Sequence, residues 1–207
     1  MHLSRGDVQT GKPCLTRPPA AHRTSPPAAL TTMRRVSTPP APGRDPIAEA
    51  RRQWRVHGWD DAADGMAAVT SVMRAHQLLL TQIDTLLRPF DLTFARYELL
   101  RLLSFASNRR MTMLKAGHRL QVHPTSLTSL AKRLKDDGLV NRHRNPADGR
   151  SAILELRPEG LELVERATAV LNAEVFERVG LDDDDVEALV DVLGRLRAGR
   201  GDFTPSG

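Results

Sequence analysis

Residues 122–138 read VHPTSLTSLAKRLKDDG, a pattern typical of a short amphipathic helix. Apolar side chains recur at spacings of three and four residues, which places them on one face of a helix that begins near Pro124. These apolar residues are Leu127, Leu130, Ala131 and Leu134. Gly138 follows this segment, at the position where a residue in the left-handed backbone conformation commonly ends a helix. The apolar face must be buried, and the helix is expected to end before Gly138.

The opposite face of this helix carries short hydroxyl side chains and one cation. They belong to Thr125, Ser126, Thr128, Ser129 and Lys132. A hydroxyl group both donates and accepts hydrogen bonds, and the major groove of DNA admits a helix and offers partners of both kinds. We therefore predict a recognition helix in which these five residues contact DNA.

A β-hairpin is predicted directly after the helix. Residues 139–145 and 151–157 have the period of two that strands need. Asp148 and Gly149 supply the turn between them. Arg150 is expected at the tip, from which a guanidinium can enter a minor groove or hold a phosphate. The predicted DNA contacts of this wing are Arg142, Arg144, Asp148 and Arg150.

Together these segments resemble the MarR family of bacterial transcription regulators over roughly Met66 to Leu196. The most specific part is the segment 122–128 combined with Asp148-x-Arg150 about twenty residues later. Further matches are Leu114–Leu120, the pair Gly138-Leu139, the wing residues 145–150, and Gly160.

The chain departs from the family pattern at two points. Gly149 stands where the family usually has the first of two adjacent arginines, so one backbone contact to DNA is not carried over. Arg157-Pro158 replaces a residue with a helix-capping hydroxyl, a loss of roughly 1 kcal/mol. Proline at a first helical position partly offsets that loss. His123 is likewise an indifferent cap for the recognition helix.

The resemblance implies a mainly α fold with a small β-hairpin wing. A disordered, Pro-rich basic tail is expected over 1–46, followed by a MarR-like domain over 47–207. Within that domain the expected parts are N-terminal dimerisation helices (47–89), a winged helix-turn-helix (90–157) and C-terminal dimerisation helices (158–198). The implied function is a sequence-specific double-stranded DNA-binding transcriptional regulator, a repressor that a small-molecule effector releases.

The charge of the folded part is segregated along the chain. Residues 88–157 contain fourteen Lys and Arg against six Asp and Glu, a net charge of +8, whereas residues 158–207 contain five against twelve, a net charge of −7. A positive segment beside an acidic one fits a lobe that faces DNA phosphates and a lobe that does not. The alternative is a solvated charged surface with no partner.

The N-terminal segment has the composition of a tail. Nine of the fourteen prolines lie before Ile47, among Ser, Thr and Ala, which predicts disorder. We hypothesise that translation starts at Met33. No apolar run is long enough for a signal-peptide core or a membrane helix, so a cytoplasmic, nucleoid-associated protein is expected.

The helices that flank the predicted winged helix-turn-helix are strongly apolar on one face. The residues concerned are Val69, Val72, Met73, Leu79, Leu80, Ile83, Leu86 and Leu87, then Leu161, Val164, Leu171 and Val175, then Leu189, Val190, Leu193 and Leu196. The last helix is expected to start at the acidic run Asp182 to Asp185, because negative charge complements the positive end of a helix dipole. Packing these apolar faces against a second copy of the chain would bury them. A twofold homodimer of this kind predicts a pseudo-palindromic operator. The alternative is packing within one chain.

The candidate effector site contains His76, Tyr97 and Arg101, because a guanidinium pairs with a carboxylate and the rings stack on an aromatic molecule. A small aromatic or acidic effector is therefore considered. The alternative is that Tyr97 is half-buried packing and Arg101 a surface cation. Trp54, on a short helix from Ile47 to about Trp59, resembles the N-terminal addition of urate-responsive family members, or it covers the dimer core.

Other chemistry is not indicated. The only cysteine is Cys14, in the predicted tail, which argues against thiol sensing, disulfides and cysteine zinc sites. His118 and His123 are poorly spaced for a metal, and no metal or other cofactor is expected. The sequence has no phosphate loop and no nucleophile elbow, so an enzyme is not expected. The rival function is a nucleoid-associated or protein-interaction module that binds without sequence specificity.

Overall fold

Seven α-helices and three short β-strands make up the part of the chain that the computed structural model describes, residues 43–146, 148 and 151–204. Their bounds are α1 Pro46–Val56, α2 Asp60–Leu87, α3 Phe94–Ser104, β1 Arg110–Thr112, α4 Met113–Leu120, α5 Pro124–Asp136, β2 Val140–Arg144, β3 Ala152–Leu156, α6 Pro158–Glu174 and α7 Asp183–Ala198. The predicted tail up to residue 42, with Met33 and Cys14, lies outside the described residues, as do Gly149 and Arg150.

The predicted fold class is confirmed: the protein is mainly α-helical with a small antiparallel sheet. The hairpin β2–β3 is present, and its register pairs Val140 with Leu156 and Arg144 with Ala152. The sequence did not predict β1, which pairs antiparallel with β3 and gives the strand order β1-β3-β2. A strand of three residues is too short to produce a readable period.

The hydrophobic core lies beneath α5 and the sheet. Its fully buried side chains come from α2, α3, α5, the sheet and α6; they are Leu87, Leu99, Leu100, Leu103, Leu134, Val140, Leu154, Val164 and Leu171. The predicted inner face of α5 belongs to this core, since Leu127, Ala131 and Leu134 are buried and Leu130 packs against them. The core therefore fixes which face of α5 points outward.

The helices that flank the winged helix-turn-helix differ in how far they are buried in the chain's own core. On α6, Val164 and Leu171 are buried in the chain's own core, so the alternative of packing within one chain holds for this helix. Helix α7 starts with Asp182 as its N-cap, at the predicted acidic run, and buries none of its residues. Helix α2 begins at Asp60, earlier than the apolar pattern, whose first residue is Val69.

Candidate nucleic-acid interface

The outer face of α5 is exposed along its length. Thr125, Ser126, Thr128, Ser129 and Lys132 are all exposed, as a recognition surface requires. The hydroxyl of Thr128 donates to the carbonyl of Pro124 at 2.9 Å, so its oxygen is left to accept from a partner. The ammonium of Lys132 lies 2.6 Å from the Asp136 carboxylate, an exposed pair that a phosphate can replace at little cost.

Two terminal residues set how α5 follows α4. Gln121 ends α4 in the left-handed region, with a φ of 53°, and turns the chain within the helix-turn-helix. The ring Nδ1 of His123 accepts from the backbone N–H of Thr125 at 3.3 Å. His123 thus acts as the N-cap, at the long end of hydrogen-bond range. Gly138, with a φ of 72°, follows the other end of α5.

The wing is held together by an ionic link that the sequence does not reveal. The Glu155 carboxylate on β3 accepts from Arg110 Nε on β1 at 2.9 Å and lies 2.6 Å from His143 Nε2 on β2. The hydrogen bond from Arg110, followed by that from His143, lowers the pKa of Glu155 to about 2. Glu155 therefore connects all three strands on one face of the sheet. Only the strand register, which the sequence left open, brings these residues together.

The predicted wing cations lie on an exposed strand. Arg142 and Arg144 are exposed on β2. The strand ends are joined by Asn145, whose amide Nδ2 donates to Ser151 Oγ at 2.8 Å, and the Asp148 carbonyl accepts from the Ser151 backbone at 3.0 Å. The described part of the wing thus presents its arginines to solvent beside α5.

A cleft of about 700 Å³ lies between α4, the start of α5 and the wing. Its lining is mostly apolar and includes Leu114, Val122 and Pro124, with Thr128 and Arg142 contributing polar atoms. This cleft could not be predicted from the sequence, because its walls come from segments that only the fold brings together.

The candidate effector residues are divided between helices. Tyr97 is only 5% exposed, and its hydroxyl lies 3.1 Å from Thr168 Oγ1 on α6. Arg101 donates from Nε to the same Thr168 oxygen at 3.1 Å and also reaches the Val164 carbonyl at 3.2 Å. These two residues therefore connect α3 to α6.

The other two candidates lie elsewhere. His76 is exposed on α2. Trp54 on α1 packs edge to face on Trp59 with 5.3 Å between ring centroids. The structure brings Tyr97 together with Arg101 and places His76 and Trp54 on different helices.

An exposed polar recognition helix, a wing and a helix-turn-helix of this kind define a winged-helix DNA-binding protein. The family model described as "MarR family" matches residues 90–151. The solved structure of Sco5413, a MarR family transcriptional regulator from Streptomyces coelicolor, is 42% identical, with a TM-score of 0.63, and the match covers 69% of this chain and 99% of Sco5413. The chain belongs to the MarR family of transcriptional regulators.

Two further likenesses have lower sequence identity. The organic hydroperoxide resistance transcriptional regulator of Bacillus subtilis is 32% identical over 89 residues, which is 43% of this chain and 59% of that regulator, so the chain spans less than two thirds of it. The structure of Sco3205 from Streptomyces coelicolor in complex with DNA is 24% identical with a TM-score of 0.60, covering 70% of this chain and 90% of that one. This second likeness concerns the fold alone.

No helix in the described ranges is both long and apolar enough to cross a membrane.

Proposed function

We propose that this protein is a sequence-specific double-stranded DNA-binding regulator that acts as a homodimer on a pseudo-palindromic operator. The observation that carries the proposal is the outer face of α5. Its hydroxyl side chains are exposed, while the inner face is anchored in the core by Leu127 and Leu134. A rigid helix that presents short donors and acceptors suits the edges of bases in a major groove.

The charge around α5 supports a nucleic-acid partner. The segment 88–157 has a net charge of +8, and Arg142 and Arg144 are exposed on the wing. Neutralising DNA phosphates releases bound counterions, which supplies affinity that is independent of sequence. In this proposal Arg142, Arg144, Asp148 and Arg150 position the protein, and the face of α5 reads the bases.

The flanking helices expose apolar side chains that a second copy of the chain would cover. No residue of α7 is fully buried against the described part of the chain, and Val190 on it is 66% exposed. Helix α2 also exposes large apolar side chains, among them Val69, Met73, Leu78 and Leu79. Large apolar side chains exposed side by side on a helix are unfavourable in water, and such a surface marks an interaction site. A twofold dimer through α2 and α7 would present two α5 helices to half-sites about one DNA turn apart.

Repression with release by a small molecule is the regulatory mode that the family resemblance implies. Tyr97 and Arg101 hydrogen bond to Thr168 in this structure. In the proposal, an aromatic acid that displaces these bonds would loosen α3 from α6. Arg101 would then pair with the carboxylate, with His76 and Trp54 as further candidate contacts. A screen for compounds that release bound DNA tests this part of the proposal.

The first experiment is fluorescence anisotropy of the full chain with a duplex from the DNA upstream of its own gene. A shuffled duplex of equal composition is the control, and both are measured at two salt concentrations. A specific regulator keeps a ratio of roughly 10³ or more between the two affinities. Equal affinities with the same steep salt dependence would instead identify a non-specific nucleoid protein, the alternative function.

A further inference from the structure

Arg96 connects the C-terminal end of α5 to the junction between α2 and α3. It is 8% exposed, at the start of α3. Its guanidinium donates through one terminal nitrogen to the carbonyl of Asp91, at 2.7 Å, and through the other to the carboxylate of Asp137, the residue that caps α5. Asp137 is 41 residues away along the chain.

The junction that Arg96 contacts is also hydrogen bonded to α2. The Asp84 carboxylate on α2 accepts from the backbone N–H of Phe94 at 2.8 Å, at the first residue of α3. Asp91 lies between the two helices in a left-handed conformation, with a φ of 52°. One hydrogen bond therefore ties α2 to the first residue of α3, and Arg96, two residues further along α3, ties that helix to the end of α5.

Stability alone does not account for Arg96. Its Nε is buried and has no hydrogen-bond partner among the residues that the structure describes. A buried, unsatisfied donor is costly. Replacing a buried ion pair by apolar residues is often neutral or stabilising, and removing one partner alone is costly where it leaves the other charge buried. Asp137 keeps 42% of its side chain exposed, so water can satisfy its carboxylate if Arg96 is absent.

We propose that Arg96 is a positioning residue that holds Asp137 and thereby fixes the angle of α5 relative to α2. It touches no DNA and sets specificity through the placement of the reading face. The inference rests on the proposed function and deepens it, because it gives a physical route from α2, which is proposed to contact the second copy, to the helix that reads bases.

The test compares Arg96→Met and Asp137→Asn in the full chain with the native protein. Arg178→Met, which breaks the exposed pair of Arg178 with Glu174, is the matched control. Operator and shuffled-duplex affinities are measured by anisotropy, and the stability by urea unfolding. Hydrogen exchange is followed for the backbone amides in the last turn of α5.

For Arg96→Met we expect native or higher stability with operator affinity lowered about tenfold, as expected when one base contact is misplaced. Affinity for the shuffled duplex should not change, because phosphate contacts are kept. The last turn of α5 should exchange faster. Asp137→Asn should change specificity and exchange in the same direction and by less, since an amide oxygen still accepts from Arg96. The control should match the native protein in every measurement.

An unchanged ratio of operator to shuffled affinity in both variants would overturn the inference and leave the proposed function standing. Unchanged exchange in α5 would overturn it as well, and that result does not depend on DNA. If the native protein does not distinguish the two duplexes, the proposed function fails, and the exchange data still report whether Arg96 holds α5.

Discussion

The carbonyl oxygen of Leu139 lies so close to Gly160 that a Cβ added to the glycine would be 2.3 Å from it. The same carbonyl accepts a hydrogen bond from the backbone of Arg157 at 3.0 Å. Leu139 leads into β2 and Gly160 lies in the first turn of α6. The first turn of α6 is therefore packed directly on the backbone at the base of the wing, which explains why glycine is needed there.

Gly160→Ala is expected to destabilise the protein by about 1–3 kcal/mol, because the added methyl group overpacks a contact with backbone that cannot move aside. Urea unfolding measures the loss. The matched control is Gly65→Ala on α2, where an added Cβ meets nothing within 4 Å. Alanine is the better helix former by about 0.5–1 kcal/mol, so this variant should be more stable. Equal stability of the two variants would contradict the packing argument.

Glu155→Gln should lower stability in a way that depends on pH. In the folded protein the pKa of Glu155 falls from 4.5 to about 2, through the hydrogen bonds from Arg110 and then His143. A lowered carboxyl pKa adds stability that is fully present above the ordinary value and is lost as the pH falls from about 4.5 towards 2. The melting temperature of the variant should therefore lie below that of the native protein at pH 7, and the difference should shrink at pH 3.

The control for this measurement is Glu162→Gln, at an exposed position on α6. Its melting temperature should follow that of the native protein at both pH values. If the difference between Glu155→Gln and the native protein is the same at pH 7 and pH 3, the ionic link across the three strands does not contribute as described.

The elements that the sequence predicted well are those whose signals are local. Helix α5 was located from its apolar period and the glycine after it, and α7 from the acidic run that supplies its cap at Asp182. The hairpin followed from alternation around a turn. In each case the residues that decide the structure lie within a few positions of one another, so no knowledge of the tertiary fold is needed.

The features that the sequence did not reveal depend on contacts between distant segments. Arg110 and Glu155 are 45 residues apart, and Arg96 and Asp137 are 41 apart. No spacing rule connects such pairs. Tyr97 was selected for its chemistry, but only the fold shows that its hydroxyl meets Thr168 on another helix. The exposed outer face of α5 was therefore predictable, whereas the contacts that orient this helix were not.

Ser129→Ala should relax base preference at one position of the operator. Ser129 is exposed on the outer face of α5, and loss of one hydroxyl contact to a base edge costs about 1–3 kcal/mol against the preferred base pair. The measurement is anisotropy on a set of operators, each with one base pair changed. A uniform loss across all of these duplexes would mean that Ser129 contacts only the phosphate backbone.

Arg150→Ala should weaken operator binding by roughly 1–3 kcal/mol and leave the unfolding free energy unchanged. The prediction follows from the place of Arg150 after the hairpin turn in the sequence, since this residue lies outside the described part of the wing. Operator affinity is measured with Arg166→Ala, at an exposed position on α6, as the control. Native affinity in Arg150→Ala would mean that this arginine does not contact DNA.

Leu79→Glu on α2 and Leu189→Glu on α7 should each convert the dimer to a monomer. Both leucines are about half exposed in the single chain, at 48% and 45%, so a carboxylate there is tolerated by the monomer and is buried only in a dimer. Burying an unpaired charge opposes association strongly. Light scattering after size-exclusion chromatography measures the mass, with Arg166→Glu as a control for the added negative charge. A native protein that is monomeric at all concentrations would refute the dimer, and dimeric Leu79→Glu and Leu189→Glu variants would place the interface on other surfaces.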